Sequence, residues 1–173
     1  MIKHIDGVGY SGKVTVTRFK KGKRVKRKII ENTGTWELFR ILCYSLAGSV
    51  TSTDLPGCID VMYMDEDATI PTSSILVSPI STSDPTYSSS SSNSGTTNTS
   101  SITYKAYIYS QSLQDKSNTN QMYYVLKSRN GETVLAFVAA DSSDSGFSVA
   151  SDEVLVIEWT LTIGNVSSFS SST

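Results

Sequence analysis

The chain has 173 residues, with 15 Lys and Arg against 16 Asp and Glu, a single histidine and a formal net charge of −1. That length suffices for one good core and barely for two. No apolar run approaches the roughly 18 residues of a membrane span, and the first residues carry no apolar signal segment. With His4 as the lone imidazole, most His-based catalysis and metal chemistry lacks its side chain. The expectation is a chain made and used, or assembled, in a cytoplasm. Cys43 and Cys58 stand apart in apolar settings. Buried free thiols are expected there, not a disulfide or a metal pair.

In chain order, charge is the first signal. Ten of the 15 Lys and Arg residues fall within the first 28 positions. Residues 12 to 30 read as a β-hairpin: Lys13 to Phe19 alternates, Val25 to Ile30 returns, and Gly22 can take the positive φ of a tight turn. Lys20, Lys21, Lys23, Arg24, Lys26, Arg27 and Lys28 make seven of the nine residues from 20 to 28 basic. Three readings compete: cations that keep an edge strand from sticking, a contact with an acidic protein surface, and a phosphate contact with nucleic acid. No aromatic residue is interleaved with these cations, which disfavours single-strand readout. Asp65-Glu66-Asp67 is an acidic counterpart that a neighbouring copy could offer.

Residues 32 to 49 give one helix. Thr33 or Thr35 can cap it, Glu37 suits its first turn, and Gly48 suits its end. Apolar residues nearly all round, from Trp36 to Ala47, predict a largely buried helix. Cys58 to Met64 is a short strand after the Pro56-Gly57 turn, and Ser74 to Ile80 is another. The three carboxylates at 65 to 67 can be set against a divalent ion, but neighbours on a strand face opposite ways, which favours a solvated strand end.

Residues 81 to 101 change character: 15 of the 21 are Ser or Thr. Such a segment buries too little apolar surface to offset its ordering entropy, so a mobile loop is expected. Residues 102 to 110 alternate again, with Tyr104, Ala106 and Ile108 against Tyr107 and Tyr109. Asn130-Gly131 is the strongest short hairpin signal and joins strands at 122–126 and 133–140. Asp141 to Asp152 partly matches a calcium-loop template; a polar loop between strands is the default. Glu153 to Ile163 alternates over eleven residues, with Leu155, Ile157, Trp159, Leu161 and Ile163 on one face. It predicts a central strand. A polar tail, 165 to 173, follows, with Phe169 as its apolar anchor.

The sequence shows no Gly-rich phosphate loop, nucleophile elbow or paired-cysteine spacing. It therefore assigns no catalytic, cofactor-binding or metal-binding residue and no small-molecule substrate.

The basic hairpin GKVTVTRFKKGKRVKRKII, then Asn32-Thr-Gly-Thr-Trp-Glu-Leu-Phe39, a helix ending in Leu46-Ala-Gly48, a Pro-Gly turn with a strand, and IEWTLTI at the far end form a layout. It resembles small virion proteins of tailed bacteriophages, the accessory head, neck or tail subunits that carry a β-sandwich. The resemblance spans residues 7–64 and 134–164. It implies many identical copies, no catalysis, and contacts with copies of itself and other virion proteins.

The fold expected is mainly β: a single-domain antiparallel sandwich of about eight strands with one helix inserted near residues 34–48. Three functions compete. One is a virion structural subunit, with the seven cations, Asp65, Glu66, Asp67 and Phe169 as contacts. The second is an adhesin or carbohydrate-binding module using Tyr104, Tyr107, Tyr109, Tyr123 and Tyr124. The third, less favoured, is a nucleic-acid binder using residues 20 to 28.

Overall fold

The computed structural model describes residues 8–64, 67–92, 95–113, 121–140 and 147–165. Ten strands and one helix run in the order β1 (Val8–Lys20), β2 (Lys23–Gly34), α1 (Trp36–Leu46), β3 (Pro56–Tyr63), β4 (Ser73–Pro79), β5 (Ser81–Thr82), β6 (Thr86–Ser92), β7 (Gly95–Leu113), β8 (Met122–Ser128), β9 (Val134–Ala139) and β10 (Phe147–Asn165).

The strands form two antiparallel sheets. The first runs β2-β1-β10-β7, with β5 and β6 both paired to the far side of β7. The second runs β4-β3-β8-β9. Strand β2 joins them, because its last residues Thr33 and Gly34 leave β1 and pair with Phe137 and Ala136 of β9. One core fills the space between. It takes Val14 from β1, Tyr104, Ala106 and Ile108 from β7, and Leu155, Ile157, Trp159 and Leu161 from β10. The second sheet answers with Ile59, Val61, Tyr124, Leu126, Leu135 and Val138.

Strand β10 is central, as its alternation predicts. It pairs with β1 from Val8 to Lys20 and with β7 along most of its length. Leu155, Ile157 and Trp159 are buried to 2% exposure or less. Alternation also sorts β7 correctly: Tyr104, Ala106 and Ile108 face the core while Tyr107 and Tyr109 stay exposed. The β1–β2 hairpin turns at Lys21 and Gly22, both at positive φ, the pairing that matches strand twist in a two-residue turn. The β8–β9 hairpin turns through Asn130-Gly131, with Gly131 also at positive φ.

The mainly β antiparallel sandwich with one inserted helix is as expected, with ten strands among the described residues where about eight were expected. Three expectations need correction. Most of the described part of the Ser/Thr segment at 81–101 is strand and not loop: β6 and the start of β7 pair from Thr86↔Ser101 to Ser92↔Gly95. Backbone ladder bonds and cross-strand contacts such as Tyr87 Oη to Asn98 Oδ1 at 2.9 Å replace apolar burial as its order. The helix is not largely buried. Leu38 and Ile41 enter the core, but Phe39 and Tyr44 remain 40% and 45% exposed, because a three-turn helix meets the sandwich on one face only. Those rings find other partners: Phe39 packs edge-on against Tyr10 and Arg40 lies over Tyr44. Finally, Cys58 is buried but Cys43, on the helix's outer side, is exposed.

Thr35 is the helix N-cap, yet its hydroxyl makes no capping bond. It is shared instead between the Val134 and Leu135 carbonyls at 2.9 and 2.8 Å. The helix start is thereby pinned to β9 at Leu135, the residue skipped where the β8–β9 register shifts between Leu126 and Lys127 of β8. Among the described residues, no helix is long and apolar enough to cross a membrane.

Candidate functional site

The basic hairpin forms one end of the first sheet. Below Thr33, β2 pairs only with β1 among the described residues. Its stretch from Lys23 to Asn32 is therefore an open sheet edge, and it carries Lys23, Arg24, Lys26, Arg27 and Lys28. All but the half-buried Lys28 are exposed. Cations on an edge strand discourage pairing with another copy of the same edge. Arg24, Val25, Lys26 and Arg27 also line a shallow open hollow. At the base of the turn, Lys20 lies 3.8 Å from Asp152 and 3.9 Å from Glu153, and Arg18 meets Glu153 at 2.7 Å. Burial alone would raise the Glu153 carboxyl. The Ala150 N–H, Arg18 and Lys20 outweigh it and hold the carboxyl below its usual range.

Of the predicted acidic contacts, Asp67 is exposed. Asp65, Glu66 and Phe169 lie outside the described residues, as do residues 141–146 of the calcium-loop match. Arg18 and Lys20 instead pair with β10, at Asp152, which the sequence reading placed only in the calcium-loop match, and at Glu153, read only as the first residue of the alternating strand. Their advance signal was their place at the start of that strand.

Register sets out what the outward face of the first sheet offers. Successive rows across β2, β1, β10 and β7 read Arg24–Phe19–Val154–Tyr109, then Arg27–Thr17–Val156–Tyr107, then Ile29–Thr15–Glu158–Lys105. Thr15, Thr17 and Val156 are buried at 8%, 6% and 6% exposure, so longer neighbours overhang a floor of short side chains. Tyr107 and Tyr109 lie nearly parallel, 13° apart with centroids at 6.3 Å. They are 44% and 60% exposed. Lys105 sits over Tyr107 at 5.5 Å and pairs with Glu158 at 2.9 Å. Beyond it, Thr103–Thr160 and Ser101–Thr162 hydroxyl pairs continue the face at 2.9 and 2.8 Å. Of the five tyrosines considered for ligand stacking, Tyr104 and Tyr124 are buried in the core and Tyr123 packs edge-on against Phe137. Tyr107 and Tyr109 remain as a platform.

The second sheet's outward face holds an ion pair that sequence reasoning missed. Asp60 is 0% exposed, and its Oδ2 accepts from Ser74 Oγ at 2.7 Å and lies 3.4 Å from Lys127 Nζ. A lone Asp in the strand CIDVMY reads as solvent-facing by alternation. Met62, Val125 and Val134 bury that face as well, so alternation gave the direction but not the environment. Cys58 lies beside this pair. Burial pushes its thiol up, Lys127 draws it down and Asp60 adds to the rise, which makes it a poor nucleophile. Among the described residues, no three His, Cys, Asp or Glu side chains group as a metal site would require.

No protein-family model, curated protein or solved structure matches this chain.

Proposed function

We propose that the protein is a non-enzymatic structural subunit that works by docking to other subunits in a multi-copy assembly. The resemblance drawn from its sequence layout makes that assembly a tailed-bacteriophage virion, with the subunit in its head, neck or tail. The observation that carries the docking reading is the open, basic edge of β2. Its cations, Lys23, Arg24, Lys26, Arg27 and Lys28, repel a second β2 and attract an acidic surface. Exposed Asp67, with Asp65 and Glu66 beside it in the sequence, is the acidic counterpart assigned to a neighbouring copy. Docking between unlike patches propagates around a ring or along a layer.

The test is to reverse Lys23, Arg24, Lys26 and Arg27 to Glu and to follow assembly by light scattering and by incorporation into virions. The variant is expected to stay monomeric while retaining its fold by circular dichroism. Unchanged assembly removes the β2 edge from the interface. A wild-type chain that remains monomeric at high concentration and never enters particles refutes the subunit reading itself.

A further inference from the structure

The chain separates its cations from its exposed aromatic rings, but the fold brings them onto one face. Strands β2 and β7 are three strand spacings apart, roughly 14 Å. Within that width, register sets Arg24 in one row with Phe19, Val154 and Tyr109, and Arg27 in the next with Thr17, Val156 and Tyr107. The surface passes from guanidinium, over short or apolar side chains, to exposed phenol. The acid in the row beyond, Glu158, is neutralised by Lys105 at 2.9 Å. Asp152 and Glu153, at the turn end, are held by Lys20 and Arg18. Among the described residues the platform therefore keeps a net positive rim at Arg24 and Arg27.

We propose that this end of the first sheet binds single-stranded nucleic acid, with a base on Tyr109, which Tyr107 backs, and the phosphate backbone along Arg27 and Arg24. Aromatic rings stack on any base, and nearby cations track the backbone; together they give sequence-tolerant single-strand binding. A four-stranded sheet face with outward aromatic residues is a geometry suited to that task. Tyr107 is flanked by Lys105 on one side and Tyr109 on the other. Tyr109, the more exposed ring, offers the outer stacking face and Tyr107 backs it. A duplex, whose bases are already stacked and paired, cannot use the rings. The two readings share Arg24 and Arg27, but Tyr107 and Tyr109 lie on the sheet face and not on the β2 edge, so the tyrosine variants separate them.

The experiment is fluorescence anisotropy of the full chain with a labelled oligothymidylate of about 20 nucleotides, longer than the roughly 4–16 that one such platform covers. The titration is run across a salt series and repeated with duplex DNA and with heparin as competitor. Wild type is expected to prefer the single strand over the duplex. Tyr109→Ala should weaken binding by roughly tenfold, more than Tyr107→Ala, without changing the salt slope. Arg24→Ala with Arg27→Ala should flatten that slope by about 0.7 for each phosphate that the guanidinium groups neutralise in the wild type. Melting curves show whether each variant is folded. No binding at low salt overturns the proposal. So does binding that ignores both tyrosines, equal affinity for duplex, or complete displacement by heparin at matched charge, each of which marks a plain polycation. Assembly by the Tyr109→Ala variant reports separately on the subunit reading.

Discussion

A methyl group at position 12 would collide with the Asn32 amide and the Tyr10 hydroxyl. These groups and Trp159 Nε1 are buried side-chain polar atoms without a well-formed hydrogen bond among the described residues. Gly12 faces Asn32 across β1–β2, and its missing side chain is what lets two polar groups enter the core. Gly12→Ala should therefore lower stability by about 1–3 kcal/mol, read as a shift in the denaturant midpoint at constant slope. The same pocket gives the protein an alkaline limit. Burial pushes the Tyr10 hydroxyl up to about 12, with Asn32 drawing it down less strongly and Tyr104 adding to the rise. A proton held more tightly when folded stabilises the fold below the unfolded value near 10, and that contribution is lost as pH rises from about 10 to about 12. Tyr10→Phe should flatten this part of the stability–pH curve relative to wild type; equal slopes would show that other groups set the limit. On the other sheet, Asp60→Ala leaves the mostly buried Lys127 ammonium without its carboxylate. A cost of roughly 3–5 kcal/mol is expected. The double variant Asp60→Leu with Lys127→Met should recover most of it, because an apolar pair of similar size needs no desolvated charge.

Elements differ in how openly the sequence declares them. Strand β10, the β1–β2 hairpin and the Asn130-Gly131 hairpin were legible because period-two burial and turn chemistry act over a few adjacent residues. The ribbon formed by β6 and the start of β7 was not. Its side chains carry no apolar period, and its order comes from backbone pairing with a neighbour strand that no local pattern reveals. The exposed side of α1 was hidden for the converse reason: Phe39, Cys43 and Tyr44 look like core residues until Tyr10 and Arg40 are seen to serve two of them. The site divides the same way. The cations of residues 20 to 28 were plain in the sequence, whereas their row-mates Tyr107 and Tyr109 became neighbours only through the order β2-β1-β10-β7. Proline substitution separates a peripheral strand from an essential one. Ser89→Pro in β6, whose one described partner is β7, should cost about 1 kcal/mol. Glu158→Pro in β10, paired on both sides with Thr15 and Lys105, removes a ladder bond from a central strand and should abolish the folded circular dichroism spectrum. A comparable loss for both would mean that the ribbon is part of the cooperative core.

At the scale of the molecule, two sheets share one strand and one core. Strand β2 pairs with β1 and then, at Thr33 and Gly34, with β9. Immediately after, Thr35 donates its N–H to Leu135 O at 2.9 Å and shares its hydroxyl with the Val134 and Leu135 carbonyls. A Cβ at Gly34 would come within 2.8 Å of Leu38 Cδ2 and 3.2 Å of Tyr10 Cε1, so a larger residue there must push these side chains aside. The crossing from one sheet to the other is thus tight, hydrogen-bonded and packed against both the helix and β1. Beyond the small cluster of Met62, Val125 and Val134 on the second sheet's outward face, the sheets depend on one core, in which Val14, Ile157 and Trp159 of the first pack with Ile59, Leu126 and Leu135 of the second. Sheets coupled in this way should unfold together. Tryptophan fluorescence in a Trp36→Phe background, which senses the fully buried Trp159 alone, and far-ultraviolet dichroism, which senses all strands, should give superimposable denaturant transitions. Gly34→Val, which drives a branched side chain into the crossing, should lower the midpoint of both signals by the same amount. If the fluorescence transition preceded the dichroism transition, the first sheet would be opening while the second stayed intact, and the shared strand would be a hinge instead of a clamp.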